Sequence, residues 1–432
     1  MSITSWSTPS RRMVLSGALA AGVSVAGGSS ARARPDDAPA MHRRTHLEGR
    51  PLSVLAAMLG VCVKTDMGRD PYGQHDRILD ALIEGGISWI RTRFGGSAAQ
   101  LEWLSRLADH GVRTCAIMGH PGHRSGPETL VQAAERIPHA ILALEGANEW
   151  NLRGGHDWAE ELRTHQDRLV EAARSSAPLQ NAQVVAPSLG MRKGFEDLGR
   201  VPCDRGNIHL YTGGFPPGHR VDDYLTELSH VSGDAPAWVT ETGWHNATRS
   251  HTTHYPTPQD VAGIYAPRLL LEYFRRGVTK LAIYGLVNDR PDPDLDDREA
   301  NFGLLESDWR PKPAFTALAN FNAILAQPAE RPRPAARSLN VEFLERPDDL
   351  QTQLVTDDDG RQILCLWRTV SIFDPVRQQR LDVPNARAVL RWGESRAVRQ
   401  YAPSRSRAAL DVEHTMMTTL TLGADVQMLI LT

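Results

Sequence analysis

The stretch GVRTCAIMGHPGHRSGPETLVQAAERIPHAILALEGANEW (111–150) holds one repeat of a larger rhythm. VRTCAIMG (112–119) is an apolar, strand-like run, PETLVQAAERI (127–137) reads as a helix, and AILALEGANE (140–149) is a second strand. That second run stops at Gly146 and delivers Asn148, Glu149, Trp150 and Asn151 in succession. Such a polar cluster is costly to bury and ordinary on a surface, so its meaning depends on what surrounds it.

The same alternation runs outward in both directions. Upstream lie the apolar SVLAAMLGVCV (53–63), HDRILDALIEGG (75–86) with helical spacing of Ile78, Leu79, Leu82 and Ile83, the strand ISWIRTRF (87–94) and the helix AAQLEWLSRLADHG (98–111). Downstream, a long helix over roughly 157–176 precedes the strands AQVVAPSL (182–189) and GNIHLYTGG (206–214) and the helix VDDYLTELSHV (221–231). AWVTETGW (237–244) is a seventh strand, followed by a helix from Thr257 as N-cap with Pro258 at its first position. KLAIYGLV (280–287) is the eighth strand and KPAFTALANFNAIL (312–325) the closing helix. Eight strand–helix units predict an α/β fold, a (β/α)8 TIM barrel over 51–326. An open dinucleotide-binding sheet would need a Gly-rich loop after the first strand, and none follows it.

The flanks differ in character. Residues 1–33 read as an export signal peptide: Arg11 and Arg12, a short apolar Gly/Ala-rich segment, then Ala31-Arg32-Ala33. The paired arginines resemble a twin-arginine signal, which implies a bacterial protein exported, periplasmic or secreted, after folding. Residues 34–50 read as a linker, and 327–339, rich in Pro and charge, as another. From 340 to 432 the pattern turns to short alternating strands with an Asp-Gly turn (DDDG, 357–360), predicting a small all-β sandwich.

Composition excludes several partners. Formal charge is −3, with 23% charged and 41% hydrophobic residues, so nothing calls for nucleic acid. Beyond the leader no apolar run reaches the ~18 residues of a membrane span, so no membrane association is expected after signal cleavage. Cys62, Cys115, Cys203 and Cys365 are far apart and read as small hydrophobes, with no zinc-ligand spacing. The sequence sets no oligomeric state.

Barrel enzymes carry their chemistry where strands end at the C-terminal face. The residues there are Arg91, Thr92 and Arg93 on strand two, His120 on strand three, Asn148 and Glu149 on strand four, and His209 and Tyr211 on strand six. Strand seven ends at Glu241, with Trp244, His245 and Asn246 beyond it, and strand eight at Asn288 and Asp289. Only Glu149 and Glu241 are glutamates placed directly after an apolar strand. Their spacing of 92 residues equals three units, which sets them across one mouth on strands four and seven. Two facing carboxyls suit cleavage of a glycosidic bond, one protonating the leaving oxygen while the other attacks or activates water.

Together these motifs resemble those of the clan A glycoside hydrolases, retaining (β/α)8 enzymes. GANEWN carries the Asn-Glu pair at strand four, WVTETGW the glutamate of strand seven, GISWIR the arginine of strand two and IHLY the His-x-Tyr of strand six. NFGLLESDWRPKPAFTALANF (301–321) is similar to the clan's closing segment. The resemblance covers 54–325 and implies a carbohydrate substrate, no cofactor and no metal. It makes Glu149 the acid/base, Glu241 the nucleophile and Asn148 the contact to the sugar 2-hydroxyl. Arg91 and Tyr211 would donate to Glu241, and His209 would contact Glu149 or substrate. Glu149 is expected to be protonated near neutral pH, raised by the nearby Glu241. Trp150, Trp244, His120 and Asn288 complete the expected substrate-binding set, with Arg93 able to stand in for Arg91. Strand eight departs from the pattern, since IYGLVND lacks the clan's tryptophan; Tyr284, Trp244 or Trp309 would floor the site. A transglycosylase and a non-catalytic carbohydrate-binding barrel are the alternatives. The acidic run 289–299 reads as a solvated loop.

Overall fold

In the computed structural model, residues 43–66, 68–250, 252, 254–328 and 337–432 are described. The expected leader and most of the expected 34–50 linker lie outside them. Eight parallel strands form one sheet: Leu59–Cys62, Trp89–Arg93, Arg113–Ile117, Ile141–Glu145, Gln183–Val185, Gly206–His209, Ala237–Thr242 and Leu281–Ile283. The eighth pairs with the first, and a parallel bridge from Val185 to Arg205 joins fifth to sixth, so the barrel closes. Helices alternate with the strands, ending in Pro313–Leu325. No described helix is long and apolar enough to cross a membrane.

Three expectations shift here. Leu52–Ala56, grouped with the first strand by its apolar run, is a helical turn that buries Leu52 and Leu55. Ile83 is exposed, because only Ile78, Leu79 and Leu82 of its helix face the sheet. The seventh helix starts at Gln259 with Pro258 as N-cap, and the Thr257 hydroxyl makes no capping bond.

Small residues and two indoles fill the lower barrel: Cys62, Cys115, Ala143, Val185 and Ala282 pack with Trp89 and Trp238. Gly60 is required there, since a Cβ on it would sit 2.2 Å from the Trp89 ring. All four cysteines are unpaired, and Cys62, Cys115 and Cys365 are buried.

The C-terminal strands build a β-sandwich that the N-terminus also joins. Arg43–Glu48 pairs antiparallel with Ser338–Glu345, and Arg50–Pro51 runs parallel to Val355 and Thr356. The segment expected as linker over 34–50 is therefore partly sandwich strand, and the second expected linker ends in one. Exposed and half-buried residues alternate along Leu47's strand, so its pairing rests on backbone bonds to a sheet edge assembled elsewhere. Two of the short runs expected in this region, ARAVLRWG (386–393) and AVRQYAP (397–403), merge into one strand, Ala386–Ala402, which shifts register after Arg391. Its first half pairs with Ser338–Glu345 and its second with Gln427–Leu431, so one bent strand serves both layers.

Between the layers lie Leu364, Leu366, Leu429, Leu431, Leu390 and Trp392. The alternate residues Cys365, Trp367, Met428 and Ile430 face the barrel's core instead. Helix Gln259–Arg275 fills that junction and is buried on nearly every side. Its Glu272 accepts from the Trp367 indole at 2.7 Å, and its Tyr265 hydroxyl accepts from the Ile372 amide at 3.1 Å. Residues 43–432 thus fold as one compact unit.

Candidate active site

Above the two tryptophans the barrel lumen turns polar, as the period of two dictates for strand two: Trp89 inward, then Arg91 inward. Arg91 is 4% exposed and makes four short hydrogen bonds to three side chains. Its Nε and one terminal nitrogen donate to the two oxygens of Glu145, at 2.8 and 2.7 Å. It also donates to Glu241 Oε2 at 2.7 Å and Asn148 Oδ1 at 2.6 Å. One guanidinium therefore fixes residues from strands four and seven. Arg93 points to solvent and pairs with Asp66 at 3.1 Å, so it does not substitute.

Strand seven reaches the site through a bulge. Val239 lies opposite Ile208 and Glu241 opposite His209, so Thr240 is an extra residue on that strand. A bulge resets the side-chain alternation, and both Thr240 and Glu241 belong to the lumen network. Glu241 also receives the Tyr211 hydroxyl on Oε1. Burial and the neighbouring Glu241 charge push that phenol well above its ordinary 10.

Strand four positions Glu149 by a left-handed residue, φ 47° and ψ 41°. A non-glycine there costs about 1–2 kcal/mol and persists only when its surroundings over-determine it. Here the Glu149 amide donates to the Ser188 carbonyl at 3.1 Å, and Asn148 bridges to Ser188. Asn148 Oδ1 is occupied by Arg91 and, at 3.4 Å, by the Ser188 hydroxyl, which leaves its amino end as a donor.

Glu149 Oε1 lies 2.8 Å from His209 Nδ1, and the same nitrogen is 3.9 Å from Glu241 Oε2. Burial works to raise the Glu149 carboxyl, but the His209 hydrogen bond and the charges of His209, Arg91 and Arg153 outweigh it, bringing the group below its ordinary 4.5. This corrects the expectation of a carboxyl raised by Glu241, while the expected contact between His209 and Glu149 is present. Glu145, fully buried, is likewise held below 4.5, where Arg91 and Thr240 overcome the burial penalty.

Glu149, His209 and Glu241 are also the one His/carboxylate cluster among the described residues compact enough to hold an ion, with ligand atoms within 4.8 Å of one another. Those atoms already carry protein partners: Arg91 and Tyr211 on Glu241, and Thr240 and Glu149 on His209. The arrangement is suited to acid–base chemistry on a neutral substrate between the two carboxyls.

Four residues expected to contact substrate stand outside the glutamate network. Trp244 is 5% exposed, packs in the core beside Tyr265 and donates to Thr212 at 3.3 Å. Asn288 is buried, donates to Glu306 at 2.9 Å and accepts from Gly303 and Lys312, so its amide braces the segment after strand eight. Trp150 and His120 stack on each other at 5.1 Å, and the indole donates to Glu161, which makes a rim pair outside the glutamate network. Of the three possible floors, Trp309 lies against Arg77 and Trp244 is buried. Tyr284 packs edge-on against Phe302, which also touches Tyr211, the residue that donates to Glu241. Within the acidic loop, Asp292 accepts from the Asp297 amide and Asn301, and Asp297 pairs with Arg290.

Residues that the sequence reading passed over complete the network. Glu145, Asn207 and Thr240 are all fully buried. Glu145 had one visible signal, a carboxylate ending an otherwise apolar strand; Asn207 and Thr240 had none.

A closed (β/α)8 barrel with an appended β-sandwich and two carboxyls across its mouth is the class of protein that fold and site define. No protein-family model matches the chain, and no curated protein sequence matches it. Solved structures do share the fold. A family 39 glycoside hydrolase from Bacteroides cellulosilyticus WH2 aligns with TM-score 0.59 and 17% identity, over 89% of this chain and 81% of its own. A family 39 enzyme from Xanthomonas axonopodis pv. citri aligns at 0.55 and 13%, covering 89% and 95%. A monomeric β-xylosidase from Caulobacter crescentus CB15 gives 0.52 and 14%, covering 86% and 95%. The alignments span both the barrel and part of the sandwich, and at these identities the likeness is one of fold.

Proposed function

We propose that the protein is an exported retaining glycoside hydrolase of β-linked sugars, with Glu149 as acid/base and Glu241 as nucleophile. The observation that carries it is the pair of glutamates with unlike partners and oxygens within 4.8 Å of each other. Retaining enzymes hold their carboxyls roughly 5–5.5 Å apart, whereas inverting ones leave about 6.5–9.5 Å for a water. Glu241, between a guanidinium and a phenol that each donate to it, is aimed for attack. Glu149, against an imidazole, has a proton source beside it. The fold shared with glycoside hydrolases and the twin-arginine leader support the class and the export.

The test is a panel of aryl β-glycosides with Glu241→Ala and Glu149→Ala. Glu241→Ala should abolish turnover, and Glu149→Ala should spare substrates with activated leaving groups. A 2-fluoro glycoside should label Glu241, as read by peptide mass spectrometry. Inverted stereochemistry of the first product would overturn the retaining assignment.

A further inference from the structure

We propose that Thr240 locks His209 in the form protonated on Nε2, so that His209 Nδ1 and Glu149 share a single proton and act as one acid. The inference rests on Glu149 being the acid/base and adds two residues to that role: His209 as the proton store and Thr240 as its positioning residue.

The argument is a count of donors. Thr240 Oγ1 sits 3.0 Å from His209 Nε2, 3.1 Å from Glu145 Oε1 and 2.8 Å from Asn207 Oδ1. Glu145 is an ionised acceptor, tied to Arg91. The Asn207 amide nitrogen donates to Glu145 and to the Ala186 carbonyl, both at 3.1 Å, so its oxygen faces Thr240, whose backbone amide reaches it only at 3.4 Å against 2.8 Å for the hydroxyl. Two acceptor oxygens therefore compete for the one threonine proton, and a hydroxyl has only one to give. It has none for His209, and the third contact is satisfied only if Nε2–H donates to Oγ1. Every group in this cluster is buried, so no solvent relieves an unmatched pair.

With Nε2–H fixed, only Nδ1 titrates, and it faces Glu149. The charged groups around the imidazole are Glu149 at 2.8 Å and Glu241 at 3.9 Å, with Glu145 one bond beyond through Thr240 and Arg91 paired with both Glu145 and Glu241. The shared proton lies between His209 Nδ1 and the Glu149 carboxylate, 2.8 Å apart. In the first step it passes to the Glu149 carboxylate and on to the departing oxygen, which keeps the electrons of the broken C1–O bond. Glu241 supplies the electrons of the new C1–O ester bond. In the second step water gives one proton to the Glu149–His209 pair, its oxygen bonds to C1, and Glu241 leaves with the ester electrons. The pair titrates as a unit rather than as two separate residues.

Thr240→Val removes the acceptor while keeping the shape. The imidazolium then loses a bond to its second N–H, and the pair gives up its proton more readily. The alkaline limb of kcat/KM on poor leaving groups should move down by about one pH unit, the equivalent of one charge-assisted hydrogen bond. Activated aryl glycosides should show no such shift, and Thr240→Ser should restore the profile. Nitrogen-15 NMR of His209, identified by the signals lost in His209→Gln, should show Nε2 protonated across the titration and only Nδ1 responding. An unmoved limb in Thr240→Val, or a wild-type His209 carrying its neutral-state proton on Nδ1, overturns the proposal. The NMR reading needs no substrate, so it stands apart from the Glu149→Ala result that tests the acid/base assignment itself.

Discussion

Arg91 is where stability and chemistry meet, and they can be separated by mutation. The side chain is 4% exposed and Glu145 is completely buried, so Arg91→Met leaves a carboxylate in the lumen with Asn207, Thr240 and the weak Cys115 thiol as donors. Breaking one partner out of a buried pair costs about 3–5 kcal/mol. At roughly 2 °C per kcal/mol, the melting midpoint should fall by roughly 6–10 °C. Replacing both partners removes the uncompensated charge, and apolar pairs of similar volume are often neutral there. Arg91→Met with Glu145→Leu should therefore recover most of the midpoint, because the Thr240 hydroxyl can still donate to Asn207 and the Asn207 amide to Ala186. Activity should not follow. Glu241 and Asn148 each lose a charged donor at 2.7 and 2.6 Å, a loss on the order of 10²–10³-fold in kcat/KM for preorganised donors of this kind. Thermal denaturation and kinetics on the same three proteins decide it. If the double variant recovered activity together with stability, Arg91 would be a structural ion pair and nothing more.

Three further outcomes follow from the geometry. Glu272 is buried, which raises its carboxyl, but Trp367, Arg275 and Arg276 bring it below the ordinary 4.5. Its contribution is complete above that value and disappears as pH falls through the lowered one; Glu272→Gln should be about 2 kcal/mol less stable near neutrality, with the gap closing in parallel melts as pH is taken below the ordinary carboxylate range. Burial lowers His245 to about 4 and His254 to about 3. The unfolded chain takes up protons below about 6.5 that these folded rings refuse, so stability should decline from there downward, and His254→Phe should flatten that decline in an acid-denaturation series. Trp244→Ala should cost about 3–5 kcal/mol in a denaturant melt as a core truncation. Trp150→Ala, by contrast, should change kcat/KM only a few-fold, and a large loss there would restore the indole as a sugar platform.

Much of the site was legible because barrel geometry turns sequence order into position. Apolar runs about 30 residues apart predicted the strands, and their polar ends named Arg91, Asn148, Glu149, His209, Tyr211 and Glu241, which the structure brings into one network. The misplaced residues share a cause. Trp244 and Asn288 follow their strands by the expected number of residues, yet beyond a strand's end the chain no longer alternates on a fixed period. One turns into the core and the other braces a loop. His120 and Trp150 meet each other at the rim for the same reason.

By itself the sequence determined the periodic part of this protein: the eight-unit barrel, the β character of the C-terminal region and the pair of glutamates three units apart. Those follow from local patterning, which each segment carries within itself. Only the tertiary structure decided what depends on partners distant in the chain. The strand Arg43–Glu48 has little pattern of its own and is defined by the Ser338–Glu345 edge it completes. The bulge at Thr240 exists only in register with strands six and eight. The charge state of Glu149 is set by His209, 60 residues away, because an ionisable group takes its character from the atoms within a few ångströms, whatever their place in the sequence.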